Sequence, residues 1–273
     1  MNVHSRPRLV SKLTLSAIAV LSLAIFFWPF LIPAAETDQA NLAQTVFLVL
    51  MPTLLLLAFL EISRGDLDSR RLATLSVLIA CNSAIRLLGA GVSGVETVFF
   101  LIVLGGYVFG PSFGFLLGSL SLLASALLAA GIGPWLPFQM MAAALVGLAA
   151  GCLAPLTRII HLQISSTRAV LAIESGLLIG YSVVASFAYG ALMTMWNWPF
   201  LASVGSLVSY QPGAPISENL TRFIKYEFLT GGLIWDFGRA STSAVLIAIT
   251  APALLTTLRR AANRAGFRAT NTV

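Results

Sequence analysis

The stretch GPSFGFLLGSLSLLASALLAAGIGPWLPFQMMAAALVGLAAG, residues 110–151, contains two long apolar runs separated by one short break. A bilayer hydrocarbon core about 30 Å thick asks for roughly 20 apolar residues per helical span. The stretch therefore reads as two membrane spans, near 112–130 and 138–155, joined by the corner GIGPWLPFQM at 131–140. Its two prolines stiffen the corner around Trp135, and Gln139 opens the next helix. Gly110, Gly114 and Gly118 recur every four residues, which places them on one helix face and lets another helix approach closely. Pro111 suits the first turn of the new helix, where a missing N–H costs little.

The same composition extends over all 273 residues, of which 58% are hydrophobic and 10% charged, with a mean hydropathy of +0.92. Such values belong to an integral membrane protein and leave no room for a separate soluble domain. Further apolar runs fall near 11–33, 42–62, 72–88, 97–109, 169–195 and 221–257, which makes eight spans in all; the last is long enough to include an interfacial stretch. Of the sixteen basic residues, twelve fall on one side: Arg6, Arg8, Lys12, Arg64, Arg70, Arg71, Arg158, Arg168, Arg259, Arg260, Arg264 and Arg268. By the positive-inside rule both termini are cytoplasmic, and the loops at 34–41, 89–96, 131–137 and 196–220 face out. The net charge of +6 thus sets topology and does not mark a nucleic-acid surface. RGDLDSR at 64–70, the most charged segment between spans, divides the chain into two leading helices (1–71), a six-helix core (72–258) and a basic cytoplasmic tail (259–273).

Several patterns point away from chemistry. The N-terminal basic and apolar stretch resembles a signal peptide, but its apolar part runs on through Pro33 and reads as a retained first span. GAGVSG at 89–94 has the GxGxxG spacing without the strand, soluble helix and acidic residue of a dinucleotide site, and reads as a flexible outer loop. Cys81 and Cys152 lie in apolar segments with no metal or disulfide spacing and read as packing residues. No GxxxxGK[ST] loop is present, so the chain is not its own ATPase, and His4 and His161 fit no hydrolase pattern. No cofactor and no metal is expected in this chain, and it is not expected to be an enzyme.

Ionisable groups within apolar runs are more informative, because they face a cavity or a partner rather than lipid. Arg86 and Glu96 bracket the loop at 89–96, Glu174 lies near the start of the seventh span, and Asp236 and Arg239 of WDFGR can pair along one helix face. That last pair reads either as a structural ion pair or as part of a site. Trp135, Trp196 and Trp198 read either as an interfacial aromatic belt or, with Gln139, as the mouth of a small-molecule site. YQPGAP at 210–215, in the long outer loop, would then fold over that mouth. Glu96, Trp135, Gln139, Trp196, Tyr210, Asp236 and Arg239 are the candidates for the ligand side. Ala80 and Ala84, with Ala73 below them, form a small-residue face suited to helix packing or to a partner in the membrane.

RLLGAGVSGVE, VFGPSFGFLLG, GPWLPFQM, LVGLAAG, WNWPF, YQPGAP, ENLTRF, WDFGRA and LRRAANRA together resemble the substrate-binding S components of energy-coupling factor vitamin transporters, over residues 72–265. Within them the chain is most similar to the subset assigned to cobalamin or other corrinoids. The resemblance implies an all-α fold with a six-helix S-component core, here preceded by two extra transmembrane helices. It implies capture of a vitamin from outside and residence in a prokaryotic cell membrane. It also implies association with a transmembrane T subunit and two cytoplasmic ATPase subunits that use the ATP, and toppling in the bilayer to release substrate. The small-residue face of the first core helix, here Ala80, Ala84 and Ala73, would contact the T subunit. The two leading helices depart from the smaller members and leave the toppling motion to be accommodated. A stand-alone proton-coupled transporter using Glu174 or the Asp236–Arg239 pair is the competing reading.

Overall fold

In the computed structural model the described residues are 6–31, 37–65, 69–89, 94–129, 131–164, 166–200, 207–230 and 232–266. Among them every regular element is helical. In chain order these are α1 (Arg6–Phe26), the single turn α2 (Trp28–Leu31), α3 (Thr37–Gly65), α4 (Ser69–Gly89), α5 (Val98–Phe109), α6 (Pro111–Leu128), α7 (Leu136–Cys152), α8 (Ala154–Gln163), α9 (Thr167–Asn197), a 3-10 turn (Trp198–Phe200), α10 (Ile216–Leu229) and α11 (Gly232–Arg264). Among the described residues five helices, α4, α6, the run Leu136–Leu156, α9 and α11, are long and apolar enough to cross a bilayer. Shorter apolar stretches fall at Leu13–Phe26, Leu48–Leu60 and Val98–Phe109.

The chain forms two compact units, one of residues 1–66 with 190–234 and one of residues 67–189 with 235–273. In the first unit α1 packs against α3. Leu15, Ile18, Ser22 and Ile25 line one stripe of α1, and Met51, Leu55, Ala58 and Ile62 one stripe of α3, all buried. Pro52 lies inside α3, a position that membrane helices tolerate because neighbours satisfy the freed carbonyl. A second core gathers Met195, Trp198, Tyr210 and Phe223, with Phe30 and Tyr226 against it. The Trp198 indole donates to the Val208 carbonyl at 2.8 Å, and the Tyr210 hydroxyl donates to the Pro29 carbonyl at 3.3 Å. Asn219 pins the adjoining loop by bonding both the N–H and the C=O of Gln211, at 3.0 and 2.9 Å.

The last apolar run, 221–257, is two helices rather than one span. α10 ends at Leu229 and α11 begins at Gly232. Gly232 opens α11 directly against the Glu227 carboxylate, which a Cβ there would push aside. α10 exposes Ile216, Leu220, Ile224 and Phe228 on one face and buries Asn219, Phe223 and Glu227 on the other, the pattern of a helix lying in a membrane interface.

The second unit is built on a wedge of α5, α6 and α7. Only twelve residues long and buried at every position but Val108, α5 is apolar all round and sits inside the protein. It turns directly into α6 through Gly110, whose φ of +99° favours glycine. Gly110 therefore makes the turn, while Gly114 and Gly118 carry the helix contact. Gly114 lies against Gly147, Gly118 against Ala143, Gly106 against Gly147, and Gly151 against Pro111; at each of these glycines a Cβ would run into backbone. The three helices thus cross backbone to backbone, the small-residue packing that serves where lipid supplies no hydrophobic drive. Such crossings also bring Cα–H groups within reach of facing carbonyls. α4 joins the wedge along α6, where the Ser83 hydroxyl donates to the Ser121 carbonyl at 3.2 Å.

Candidate functional site

At one end of the second unit four charged side chains converge from three segments. Arg239, in the second turn of α11, donates through Nε to Glu96 Oε2 at 2.7 Å and through Nη1 to Asp236 Oδ1 at 2.5 Å. Arg86, near the end of α4, lies 3.8 Å from the other Glu96 oxygen and donates to the Ser125 hydroxyl of α6 at 3.0 Å. Two guanidinium groups and two carboxylates make the cluster formally neutral. The Arg239 and Asp236 side chains are 10% and 5% exposed, against 23% and 20% for Arg86 and Glu96, so the cluster reaches its surroundings on the Arg86–Glu96 side.

The local sequence explains why these groups meet. Asp236 and Arg239 are three residues apart on one helix face. Glu96 just precedes α5, and the neighbouring Thr97 hydroxyl donates to the Ile85 carbonyl of α4 at 2.8 Å, which fixes the segment beside Arg86. Gly94, with φ of +71°, comes so close to Gly238 that a Cβ on the latter would meet Gly94 backbone. The described end of the GAGVSG loop is therefore packed against α11, and its residues 90–93 lie outside the described part. α9 completes the surround: the Arg239 guanidinium sits 4.8 Å from the Tyr189 ring centroid and 5.8 Å from that of Phe99, and it reaches the Ser186 carbonyl at 3.3 Å. Cation–π contact and two carboxylates hold the arginine in one place.

Of the residues singled out in the sequence, Glu96, Asp236 and Arg239 are brought into this one cluster. Trp135 caps the start of α7, is 43% exposed, and lays its ring over Gly133. Gln139, half-buried, follows in the first turn of α7. Trp196 and Tyr210 belong to the first unit, Tyr210 in its aromatic core. Ala73, Ala80 and Ala84 are all exposed along α4, the least buried of the five long apolar helices. Sequence reading did not connect Arg86, Phe99, Ser125 and Tyr189 with the site; the signal available was the pairing of Arg86 with Glu96 across one loop.

A second ion pair sits at the opposite ends of the same helices. Glu174 of α9 is wholly buried and accepts from Arg259 of α11 at 2.6 Å and from the Tyr107 hydroxyl of α5 at 3.1 Å. Among the described residues no group of three His, Cys, Asp or Glu side chains is placed to hold a metal ion.

Comparison of the chain with the curated proteins and with the solved structures finds no match. A family model, ECF transporter, substrate-specific component, matches residues 70–262. The match begins as α4 begins and ends within α11, so it takes in the wedge, both ion clusters and the exposed alanine face. Members of that family are transport subunits that take a small-molecule substrate and work with T and ATPase subunits, not enzymes. With most of its length matched, this multi-pass, all-helical membrane chain belongs to the substrate-specific components of ECF transporters.

Proposed function

We propose that the chain captures a vitamin-class organic solute at the Glu96–Arg239–Asp236 cluster and delivers it to ATP-driven partner subunits in a prokaryotic plasma membrane. The observation that carries this reading is the burial of four balanced charges between α4, α5 and α11. Ionisable groups are costly at membrane depth and persist where they line a path or a site. Neutral overall and open on the Arg86–Glu96 side, the cluster offers carboxylate acceptors and guanidinium donors to a polar solute without requiring that solute to be charged. Trp135 and Gln139, at the start of α7, supply an aromatic face and an amide on the side we take as outer.

Cobalamin or a related corrinoid is the substrate to test first, on the sequence resemblance; its side arms are carboxamides, which accept from arginine and donate to carboxylates. The exposed Ala73, Ala80 and Ala84 face is the proposed seat of the T subunit, because small residues let helices approach closely.

The experiment is uptake of radiolabelled cyanocobalamin by cells carrying the chain with and without the T and ATPase subunits, together with mass spectrometry of small molecules that co-purify with it. Uptake that needs both partner types, and a co-purified vitamin, are the expected results. Uptake into ATP-free vesicles that follows the proton gradient, with no partner present, contradicts the proposal and supports a secondary transporter using Glu174 or the Asp236–Arg239 pair.

A further inference from the structure

One helical turn further into the unit, beneath the ion cluster, lies a second polar layer. Each of its members stands four residues from a member of the first. Asn82 is below Arg86 on α4, Ser121 below Ser125 on α6, Ser182 below Ser186 on α9, and Ser243 below Arg239 on α11. Residues four apart share a helix face and differ by about 6 Å along the axis. The upper layer is held together by Arg86 on Ser125 and Arg239 on Ser186. At the lower level the Ser83 hydroxyl bonds the Ser121 carbonyl. All four lower residues are buried: Asn82, Ser121 and Ser243 at 0% and Ser182 at 1% exposure.

Ser182 is satisfied by its own helix, donating to the Ile179 carbonyl at 2.9 Å. The other three are not. Asn82 Nδ2 and Oδ1, Ser121 Oγ and Ser243 Oγ have no hydrogen-bond partner among the described residues. A buried polar group without a partner is destabilising and, in a native protein, calls for an explanation. Three such side chains on three helices, at one level under a charged cluster, share one explanation.

We propose that Asn82, Ser121 and Ser243 form the floor of the substrate site and receive an uncharged donor–acceptor edge of the ligand, such as a carboxamide, lactam or cyclic imide. This rests on the capture reading above and adds to it the chemical class of the buried end. An asparagine amide presents one acceptor beside two donors, and its complement is another amide-like edge. The serine hydroxyls add donors or acceptors on either side. Directly overhead the charges already balance, so an ionised group pushed into this level would meet no free counter-charge and pay the desolvation cost alone.

Admitting the ligand requires α11 to part from the wedge, and its attachment permits that. α11 approaches the wedge closely at no more than isolated points among the described residues, and it is tied on by the Arg239 and Arg259 side chains.

The test is equilibrium binding of cyanocobalamin, riboflavin and biotin, which carry amide, imide or cyclic urea edges, and of pyridoxine, which carries none, to the purified full chain in nanodiscs. Asn82→Leu keeps the branched shape and removes both polar atoms; Ser121→Ala and Ser243→Ala are the lighter variants, and Arg239→Gln reports on the upper layer. We expect at least one amide-edged probe to bind. Its affinity should fall about tenfold or more in Asn82→Leu and severalfold in each serine variant, while Asn82→Leu without probe melts no lower than wild type. Binding lost in Arg239→Gln but unchanged in Asn82→Leu overturns the floor and leaves the capture site standing. Binding of pyridoxine alone overturns the ligand class. No binding of any probe contradicts the floor and the vitamin reading together.

Discussion

The wedge of α5, α6 and α7 and the wall made by α11 with residues 167–189 of α9 are held by opposite means. In the wedge, glycine meets glycine or alanine and backbone lies on backbone, with no polar side chain needed. Apart from Gly238 against the Gly94 backbone, the wall is attached through side chains: Arg239 to Glu96, Arg259 to Glu174, Tyr107 to Glu174, and the Tyr181 hydroxyl to the Val146 carbonyl at 2.6 Å. Close backbone contact has one geometry and resists change, whereas long side chains reach across a variable gap. In a subunit that must take up a solute and give it up, the wedge is suited to be the frame and the wall to be the part that moves.

The largest effect that would break this contrast belongs to the frame. Gly114→Val or Gly147→Val puts side-chain atoms where facing backbone lies, and each should cost roughly 4 kcal/mol or more, beyond ordinary overpacking; loss of monodisperse protein on size exclusion is the readout. Next is Arg239→Leu, which leaves Asp236 buried without its cation and Glu96 with Arg86 alone, and should cost about 3–5 kcal/mol in thermal or denaturant unfolding. Glu174→Gln retains an acceptor for Tyr107 and weakens the tie to Arg259, and should cost about 1–3 kcal/mol in the same assay. Smallest in stability is Ala80→Leu with Ala84→Leu on the exposed face of α4, within about 0.5 kcal/mol per site. That double variant should nevertheless bind solute normally while uptake through the partner subunits drops about tenfold, a loss of about 1.4 kcal/mol at the contact.

Several of these elements were legible in the sequence, and for a physical reason. Uninterrupted apolar runs mark helices in a membrane, so 112–130 and 169–195 lie close to α6 at 111–128 and α9 at 167–197. The run 221–257 was long enough for an interfacial stretch, but its break could not be placed because Ile224, Phe228 and Leu229, exposed on α10, are as apolar as a span. Four-residue glycine spacing announced a close helix contact at Gly114 and Gly118, but not that α7 would supply it through Ala143 and Gly147. Asp236 and Arg239 are neighbours on one turn and could be paired on paper. Glu96 joins them from 143 residues away, and no local pattern reports that. The polar floor was hidden for another reason: a lone Asn or Ser in an apolar run looks incidental until the helices stand side by side.

Hydrogen–deuterium exchange of the full chain in nanodiscs, with and without a saturating amide-edged probe such as cyanocobalamin, reads directly whether solute engages α11 and the Glu96 segment while the wedge stays fixed. Added protection is expected in residues 94–99 and 232–243, with 111–118 and 143–151 unchanged. Protection confined to the wedge, or to regions away from Glu96 and Arg239, would contradict that engagement.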